Sequence, residues 1–554
     1  MYEYLSLVES VRDGSKVGHR TLLRLGEVTA LRESGQLERV VAALEAHLNK
    51  ERIDVGALAA EGAPAVGAVA AVGALWQRLG LDGWFAEVGA RRGAAVLEHA
   101  VFAMVANRLV APCSKRRLTE WAASDVVMPA GWSAPSADQY YRALDAVADA
   151  KDSTEAHLYA RLCDLSNLDL RLVCYDLTST YFEGSARASD RFPSRAFGYS
   201  RDHRGDRPQI VIGLLCTSDG IPIAHHVFAG DTNDASTLPA VLADLAERFA
   251  VGRICVVADR GLVSSDNLAA VAGAGFDHVL AARLRRDHTT AEALEAIDDD
   301  TAWVEIPQHR CRATEAALAD GTRAIVVASD ARARRDAARA AEIAAAAEAG
   351  LLALERRVRD GRLKDPAKIG RAAQRILGSS GVGRLFDVEI GPGRFIYHYN
   401  EDALAYEELL AGRYVLTTSL TPAQASTAQV VAAYRQLANT EARFRVLKDF
   451  LHLRPVRHWT EKRVRGHVAV CVYAAVIETL INHALATADI RDPDNSHQHL
   501  STARALRELN RIRRHHLTAN GRQIQLTTRR TPLQTRALAA VGADTRTWDK
   551  AAIT

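Results

Sequence analysis

The chain has 554 residues and a mass of 60.2 kDa, enough for three to five structural units at roughly 100–200 residues each. Hydrophobic residues make up 48% of it and charged residues 25%, which excludes a largely disordered, fibrous or membrane-embedded protein. The net charge is only +3, yet the segment from Tyr434 to the C-terminus carries 21 Lys and Arg against 10 Asp and Glu. This basic end indicates either a polyanionic partner or a solvated charged face.

The N-terminus and the apolar stretches indicate where the protein works. Residues 1–14 lack a basic segment followed by an apolar one, so no secretion signal is predicted and we expect a cytoplasmic location. The longest apolar stretches, Ala94–Ala111 and Val468–Ile481, are interrupted by polar and charged residues or are shorter than the ~20 residues that a bilayer requires. The seven cysteines include no Cys-x-x-Cys pair, which argues against a disulfide framework or a zinc knuckle.

The first third of the chain predicts a hairpin followed by helices. Alternating side chains from Tyr2 to Val8, a turn at Asp13-Gly14 and a second run from Val17 to Leu25 predict two antiparallel strands. Helical periodicity follows from about residue 35 to residue 165. We therefore predict that residues 1–165 form a hairpin plus a helix-rich region.

Beyond residue 168 the pattern changes to short apolar runs, which predict strands. These runs are Leu172–Tyr175, Gln209–Cys216, Ile221–Phe228, Ile254–Ala258 and His278–Ala282. Amphipathic segments at Ser236–Phe249 and Ser264–Ala274 give the order β-β-β-α-β-α-β. That order predicts an α/β fold with a mixed sheet flanked by helices, the RNase H-like fold, over residues 168–285.

Three further regions complete the predicted organisation. Residues 286–420 contain strand patterns around a helical hairpin, Asp330–Leu377, and are interpreted as a β-rich insertion domain. Residues 421–490 are interpreted as the second part of the core, with one helix from Ser426 through Phe450 and another from about Trp459 to Ala486. Residues 491–554 are interpreted as a basic tail, partly helical or loosely ordered.

Three acidic residues could share one site. Asp176 is predicted to end the first core strand and Asp259 the fourth, and ligand sites in α/β sheets form at strand ends. Either residue alone is also explained as a turn former or helix cap. The third acid, Glu441, lies seven residues after Tyr434 and seven before Lys448, a spacing that aligns the three on one helix face. An ordinary amphipathic helix is the alternative explanation for that alignment.

The residue types suit metal-dependent chemistry on phosphate. Mg²⁺ prefers oxygen ligands, which two Asp and one Glu supply. Two divalent cations ~3.5–4 Å apart can activate a nucleophile and stabilise the leaving oxygen in phosphoryl transfer. Lys448 could then contact a DNA phosphate, and Tyr434 could stack or hydrogen-bond beside the site.

These residues resemble a known family. The Asp176, Asp259 and Glu441 set on this element order is similar to the DDE transposases of bacterial insertion sequences, and within them to the insertion-sequence-four superfamily. That group has a Tyr-Arg-Glu-Lys signature and a β-rich insertion before the Glu. Further similar segments are Tyr175–Thr180, Gly198–Asp202, Pro208–Leu214 and Leu453–Trp459. One departure is Leu437, which stands where the signature has Arg, although Arg435, Arg443 and Arg445 lie on the same predicted helix.

The resemblance implies an enzyme that binds terminal inverted repeats and catalyses metal-dependent strand cleavage and strand transfer. Asp176, Asp259 and Glu441 would hold two Mg²⁺ ions, which Mn²⁺ could replace. The residues that would contact DNA are Tyr434, Lys448, Arg443 and Arg445. The N-terminal region would bind element ends, the basic tail would contact target DNA, and the protein would act as a homodimer in a paired-end complex at the nucleoid.

Two other functions remain open at this point. One is a metal-dependent DNA nuclease on the same fold, which would cut without joining strands. The other is a catalytically silent DNA-binding descendant, against which the presence of all three acids counts.

Overall fold

The computed structural model describes residues 3–13, 16–47, 58–92, 94, 96–166, 172–183, 192–249, 254–262, 264–283, 288–298, 300–378, 382–519, 522–546 and 552–553. The chain forms two compact units. The first unit contains Met1–Ala65, Ile512–Arg529 and Thr545–Thr554, and the second contains Val66–Arg511 and Arg530–Asp544.

The described residues form strands and helices along the whole chain. The strands are β1 (Tyr4–Asp13), β2 (Lys16–Glu27), β3 (Ala59–Gly62), β4 (Leu172–Tyr181), β5 (Gln209–Thr217), β6 (Pro222–Ala229), β7 (Cys255–Ala258), β8 (Asp277–Ala281), β9 (Val304–Ile306), β10 (Cys311–Ala317), β11 (Arg323–Ala328), β12 (Phe386–Gly391), β13 (Arg394–Tyr399), β14 (Arg413–Thr418), β15 (Arg491–Asp492), β16 (Asn495–His499), β17 (Arg514–Ala519), β18 (Arg522–Thr527) and β19 (Ala552–Ile553). The α-helices are α1 (Val28–Glu33), α2 (Gln36–His47), α3 (Gly67–Arg78), α4 (Leu81–Arg91), α5 (Leu97–Val110), α6 (Lys115–Glu120), α7 (Ala137–Asp149), α8 (Lys151–Ser166), α9 (Leu238–Arg248), α10 (Ser265–Gly273), α11 (His288–Glu295), α12 (Asp330–Arg359), α13 (Pro366–Leu377), α14 (Glu401–Leu410), α15 (Thr427–Arg435), α16 (Leu437–Arg445), α17 (Glu461–Thr487), α18 (Thr502–Leu509) and α19 (Pro532–Ala540).

The first unit joins the two ends of the chain. Strands β1 and β2 pair antiparallel from Tyr4↔Glu27 to Asp13↔Lys16, which confirms the predicted hairpin; Gly14 of the predicted turn lies outside the described residues. A second sheet has the order β19-β18-β17-β3. The C-terminal strand β17 pairs with β3, so residues near 516 and near 62 are neighbours in the sheet. The described part of the predicted tail thus contains strands β15–β19 and helices α18 and α19, and three of these strands, β17, β18 and β19, belong to this sheet.

Helix α17 is the central helix of the second unit. It packs against α3, α5, α7 and β6, and most of its residues from Val464 to Ile481 are buried. Gly466 allows the close crossing with α7, because a Cβ there would lie 2.0 Å from the carbonyl oxygen of Leu144. Among the described residues, α17 is the one helix long and apolar enough to cross a membrane, and 78% of its most apolar window is buried inside the protein.

A nine-stranded sheet forms the rest of the core, in the order β6-β5-β4-β7-β8-β14-β11-β10-β9. Strands β4, β5 and β6 pair antiparallel, whereas β7 pairs parallel with both β4 and β8. Helices α9 and α10 connect β6 to β7 and β7 to β8. This is the β-β-β-α-β-α-β order predicted for the RNase H-like core.

The region predicted as an insertion shares this sheet. Strand β14 pairs antiparallel with β8, with Leu416 opposite Ala281, and β11, β10 and β9 follow in turn. Between β11 and β14 the chain leaves the sheet and forms α12, α13, the β12-β13 hairpin and α14. This excursion has its own apolar core, which includes Leu351, Ile369, Phe386 and Phe395.

Candidate active site

Two of the three acids are brought together by the parallel pairing of β4 and β7. The last paired residues are Tyr175 and Ala258, and the next residue on each strand is Asp176 or Asp259. Asp259 follows the end of β7, as predicted. Asp176 does not end its strand, because β4 continues to Tyr181 while paired antiparallel with β5. The predicted strand end is therefore wrong, but Asp176 still lies at the edge of the β4–β7 ladder.

Glu441 reaches the same place from α16, which packs against β4. Leu437, Thr440 and Phe444 form the buried face of α16, whereas Glu441 is exposed. Burial, together with the charges of Glu441 and Asp259, raises the pKa of Asp176 to about 7, against the opposing effects of a backbone hydrogen bond and the charge of Arg201. The three predicted acids therefore form one electrostatic cluster.

The helix that carries Glu441 is segmented. A single helix from Ser426 through Phe450 was expected, but α15 ends at Arg435, α16 begins at Leu437, and a π-helical turn follows over Val446–Phe450. The π turn has i→i+5 hydrogen bonds and so changes the angular position of later residues. Tyr434, Glu441 and Lys448 accordingly do not lie on one uninterrupted α-helix.

Tyr434 lies beside the acid cluster. Its hydroxyl donates a hydrogen bond of 3.4 Å to Oδ1 of Asp259, a distance at the long end for such a bond. Its ring lies 5.7 Å from that of Tyr414. Burial raises the pKa of Tyr434, as does the charge of Asp259, so the hydroxyl stays protonated and is able to donate.

Lys448 is held in a buried ion pair. Its Nζ lies 2.7 Å from Oδ1 of Asp202, and the two side chains are 11% and 3% exposed. Arg454 also pairs with Asp202. Burial lowers the pKa of Lys448, and Asp202 opposes that effect. The DNA-phosphate contact of Lys448 stays a prediction, while its contact within the fold links the helix of Glu441 to the Gly198–Asp202 segment.

The arginines near Glu441 differ in their surroundings. Arg443 pairs with the buried Glu478 and donates a 2.9 Å hydrogen bond to Thr479. Arg445 is exposed. Leu437, at the position of the signature Arg, is 4% exposed and belongs to the apolar core between the sheet and α15. An apolar contact thus occupies the position where the family has a cation.

Arg201 and Asp234 lie near the acid cluster although no sequence pattern marked them as site residues. Arg201 pairs with Asp234, and its charge lowers the pKa of Asp176. Asn233, beside Asp234, accepts a 3.0 Å hydrogen bond from the Ala235 N–H and so caps the short helical turn that begins at Asp234. The signal that could have identified Arg201 is its place in the Gly198–Asp202 segment.

The ligand chemistry of the cluster suits a hard divalent cation. Three carboxylates that repel one another are stabilised by positive charge, and carboxylate oxygens are what Mg²⁺ and Mn²⁺ prefer. Within the described part of the chain, no three His, Cys, Asp or Glu side chains are already arranged to hold a metal ion. The side chains of the cluster would have to turn towards a common point.

Family models match the N-terminal segment and the catalytic core. The model of the transposase DDE domain matches residues 168–477, which include Asp176, Asp259 and Glu441. The chain belongs to the DDE transposase family. The model of the IS1634 family transposase N-terminal domain matches residues 1–57, and the two matches together support an insertion-sequence transposase. The predicted family, enzyme class and RNase H-like core are confirmed, and DDE domains of this kind act on DNA with divalent metal ions.

Two other comparisons add less to the description of the transposase. One similar solved structure is the cryo-EM structure of a piggyBac transposase synaptic complex with hairpin DNA. It has 10% sequence identity and a TM-score of 0.35, and the alignment covers 74% of this chain and 70% of that chain. A likeness this distant supports no conclusion about this chain. A search of curated protein sequences finds no match.

Proposed function

We propose that Asp176, Asp259 and Glu441 are the catalytic, metal-binding residues with which this transposase cuts the ends of its element and joins them to new DNA. The observation that carries the proposal is the electrostatic cluster itself. Residues 176, 259 and 441 are far apart in the sequence, yet both Asp259 and Glu441 raise the pKa of Asp176. Carboxylates that repel one another and so shift a pKa strongly are typical of functional sites.

The chain's own residues would orient these ligands. The Leu177 N–H donates a 2.7 Å hydrogen bond to Oδ1 of Asp176, and the Tyr434 hydroxyl holds Asp259. The pairs of Lys448 and Arg454 with Asp202 fix the segment that follows Glu441. Two divalent ions, Mg²⁺ or its substitute Mn²⁺, would supply activation of water or a 3′-hydroxyl and stabilisation of the leaving oxygen.

The proposed DNA partners are the terminal inverted repeats and a target duplex. Arg445 is exposed and has no ion-pair partner among the described residues, so it is the best-supported DNA contact on this helix. The proposed contacts of Lys448 and Arg443 would require their present ion pairs to open or be shared. We further propose action as a homodimer in a paired-end complex, at the nucleoid in the cytoplasm.

The proposal is tested with DNA that carries the inverted repeats flanking the coding region. Wild-type protein, Glu441→Gln and the control Asp402→Asn, which changes an exposed carboxylate on α14, are incubated with Mg²⁺ or Mn²⁺. We expect cleavage at the repeat ends and joining to a second duplex by wild type and control, and neither by Glu441→Gln.

The other outcomes separate the alternatives. Cleavage without new strand junctions would favour a nuclease. Binding of the repeats without cleavage by any of the three proteins would favour a silent DNA-binding descendant. Cleavage unaffected by Glu441→Gln would contradict the assignment of the third acid.

A further inference from the structure

A basic cavity in the second unit is lined by residues most of which have no role in the proposed active site. Its volume is about 320 Å³, and its wall comes from the end of α5, the start of α6, Tyr141 of α7, the segment after the π turn and α17. We name this cavity the basic pocket. Its polar lining includes Arg108, Lys115, Arg454, Arg457, His458 and His467. Among the residues that the structure describes, no Asp or Glu lines it.

Lys115 is a buried cation without a partner. Its side chain is 4% exposed, and no hydrogen bond or ion pair engages its ammonium among the described residues. Burial, together with the charge of Arg108, lowers the pKa of Lys115 to about 7. An unpaired buried charge costs several kcal/mol, which is comparable with the whole free energy of unfolding of a small domain. Such a residue therefore indicates a binding role.

Arg108 adds a second positive charge at the base of the pocket. It is 8% exposed and donates hydrogen bonds to the carbonyl oxygens of Cys113, at 3.0 Å, and His452, at 3.1 Å. Its Nε is buried and has no hydrogen-bond partner. Carbonyl oxygens carry no net charge, so the guanidinium is positioned but not neutralised.

The remaining lining residues divide into neutral and charged groups. Burial lowers the pKa of His458 to about 3 and that of His467 well below its usual value, so both rings are neutral near pH 7. Arg454 is paired with Asp202 and Asp449. Arg457 is exposed at the rim and has no ion-pair partner within the described chain. The uncompensated charge therefore comes from Lys115, Arg108 and Arg457.

A second cavity continues this surface. Its volume is about 370 Å³, and Arg457 and His458 line both cavities. It contains Arg195, which is 4% exposed and whose Nε and one Nη are buried without a hydrogen-bond partner, together with one carboxylate, Glu183. Each of the two adjoining cavities contains a buried guanidinium group with an N–H that lacks an acceptor. Two such cavities side by side suit an extended polyanion better than a single free anion.

We infer that the basic pocket binds a backbone phosphate of the DNA on which the transposase acts, with Lys115, Arg108 and Arg457 as its cationic ligands. A phosphate oxygen would give the Lys115 ammonium and the Arg108 Nε–H the acceptors they lack. The pocket is large enough to hold a phosphate with its attached sugar. The inference rests on the family's action on DNA and on none of the roles proposed for Asp176, Asp259 and Glu441.

The test measures DNA binding of the full-length protein in EDTA, so that cleavage cannot contribute. Lys115→Met keeps the length of the side chain and removes the charge; Lys368→Met removes the same charge from an exposed position on α13. The probe is a duplex carrying the flanking inverted repeat, titrated at several salt concentrations. We expect Lys115→Met to weaken binding at least about tenfold and to reduce the salt slope by about one, with little change for Lys368→Met.

Thermal unfolding separates a binding role from a structural one. Loss of an unpaired buried cation should raise the midpoint temperature of Lys115→Met, whereas loss of a structural lysine would lower it. If Lys115→Met does not fold, Arg457→Ala decides, because this exposed side chain can be removed without disturbing the core and should also weaken DNA binding.

Three results would overturn the inference. The first is wild-type DNA affinity and salt slope in both Lys115→Met and Arg457→Ala. The second is an equal loss of affinity in Lys368→Met, which would indicate a general charge effect. The third is stabilisation of wild type but not Lys115→Met by inorganic phosphate alone, with DNA binding unchanged, which would assign the pocket to a free oxyanion. Since Glu441→Gln affects cutting and not binding in EDTA, failure of either proposal is distinguishable from failure of the other.

Discussion

Glu155 and Asp176 are two carboxylates of the second unit in opposite electrostatic surroundings. Glu155, on α8, is 2% exposed and contacts His225 of β6 at 2.6 Å, Arg248 at 2.8 Å and Lys151 at 2.9 Å. Burial raises its pKa, but the charges of these partners outweigh burial and bring the pKa to about 2. For Asp176, burial and two neighbouring carboxylates act together and bring the pKa to about 7. Glu155 is ionised and paired with cations, so it stabilises the fold. Asp176 lies among other acids, so the rest of the fold must hold it there against their repulsion.

The largest expected effect is a loss of cleavage activity without a loss of stability when a residue of the acid cluster is changed. Asp176→Asn and Glu441→Gln should each lower the cleavage rate on the order of 10³-fold, since the metal contribution is several kcal/mol of barrier. The midpoint of thermal unfolding should stay at or above that of wild type, because each change removes a repelling charge. Cleavage kinetics and thermal unfolding on the same preparations check this. A large drop in midpoint would place Asp176 with Glu155 as a structural acid.

The opposite result is expected at Glu155. Glu155→Gln should lower the free energy of unfolding by about 3–5 kcal/mol, because it leaves His225, Lys151 and Arg248 around a neutral group. Asp152→Asn is the matched control, since Asp152 also contacts Lys151 and Arg248 but is 67% exposed. That change should cost less than about 1 kcal/mol. Denaturant unfolding measures both, and equal losses would mean that burial does not distinguish the two acids.

The dependence of the free energy of unfolding on pH should also show that ionised Glu155 stabilises the fold. The pKa of Glu155 is about 2 in the folded protein against 4.5 for an ordinary Glu, so the folded state favours the ionised form. Its contribution is therefore fully present above about pH 4.5 and is lost as the pH falls towards about 2. The difference in unfolding free energy between wild type and Glu155→Gln should shrink across that range. A difference that grows on acidification would reverse the sign of the argument.

The smallest expected effect is stabilisation by metal. Mg²⁺ at ten to one hundred times its dissociation constant should stabilise the wild-type protein by about 1–3 kcal/mol, because it binds the folded cluster and not the unfolded chain. Glu155→Gln should show the same increment from a lower starting point. Asp176→Asn and Glu441→Gln should show little or none. An equal increment in all four proteins, measured by thermal unfolding, would locate the metal elsewhere.

The sequence predicted those parts of the site that depend only on residues close together along the chain. The apolar run ending before Asp259 and the spacing around Glu441 needed no distant contacts to be recognised. The end of β4 was predicted too early because the Thr178–Thr180 segment also suits a turn, and pairing with β5 decides its structure. The pairing of Lys448 with Asp202 spans 246 positions, and the pairing of His516 with Gly62 joins opposite ends of the chain. Such long-range partners leave no local signal.

The excursion between β11 and β14 has a consequence for how this chain can vary. Ala328 and Arg413 are direct partners on adjacent antiparallel strands, so the chain leaves the sheet and re-enters it at one point. Everything between them serves, for the sheet, as an enlarged hairpin loop with a core of its own. Loop length adds only slowly to the entropy of closure. Helices can therefore be gained, lost or exchanged there while the register of the strands that carry the active site stays unchanged.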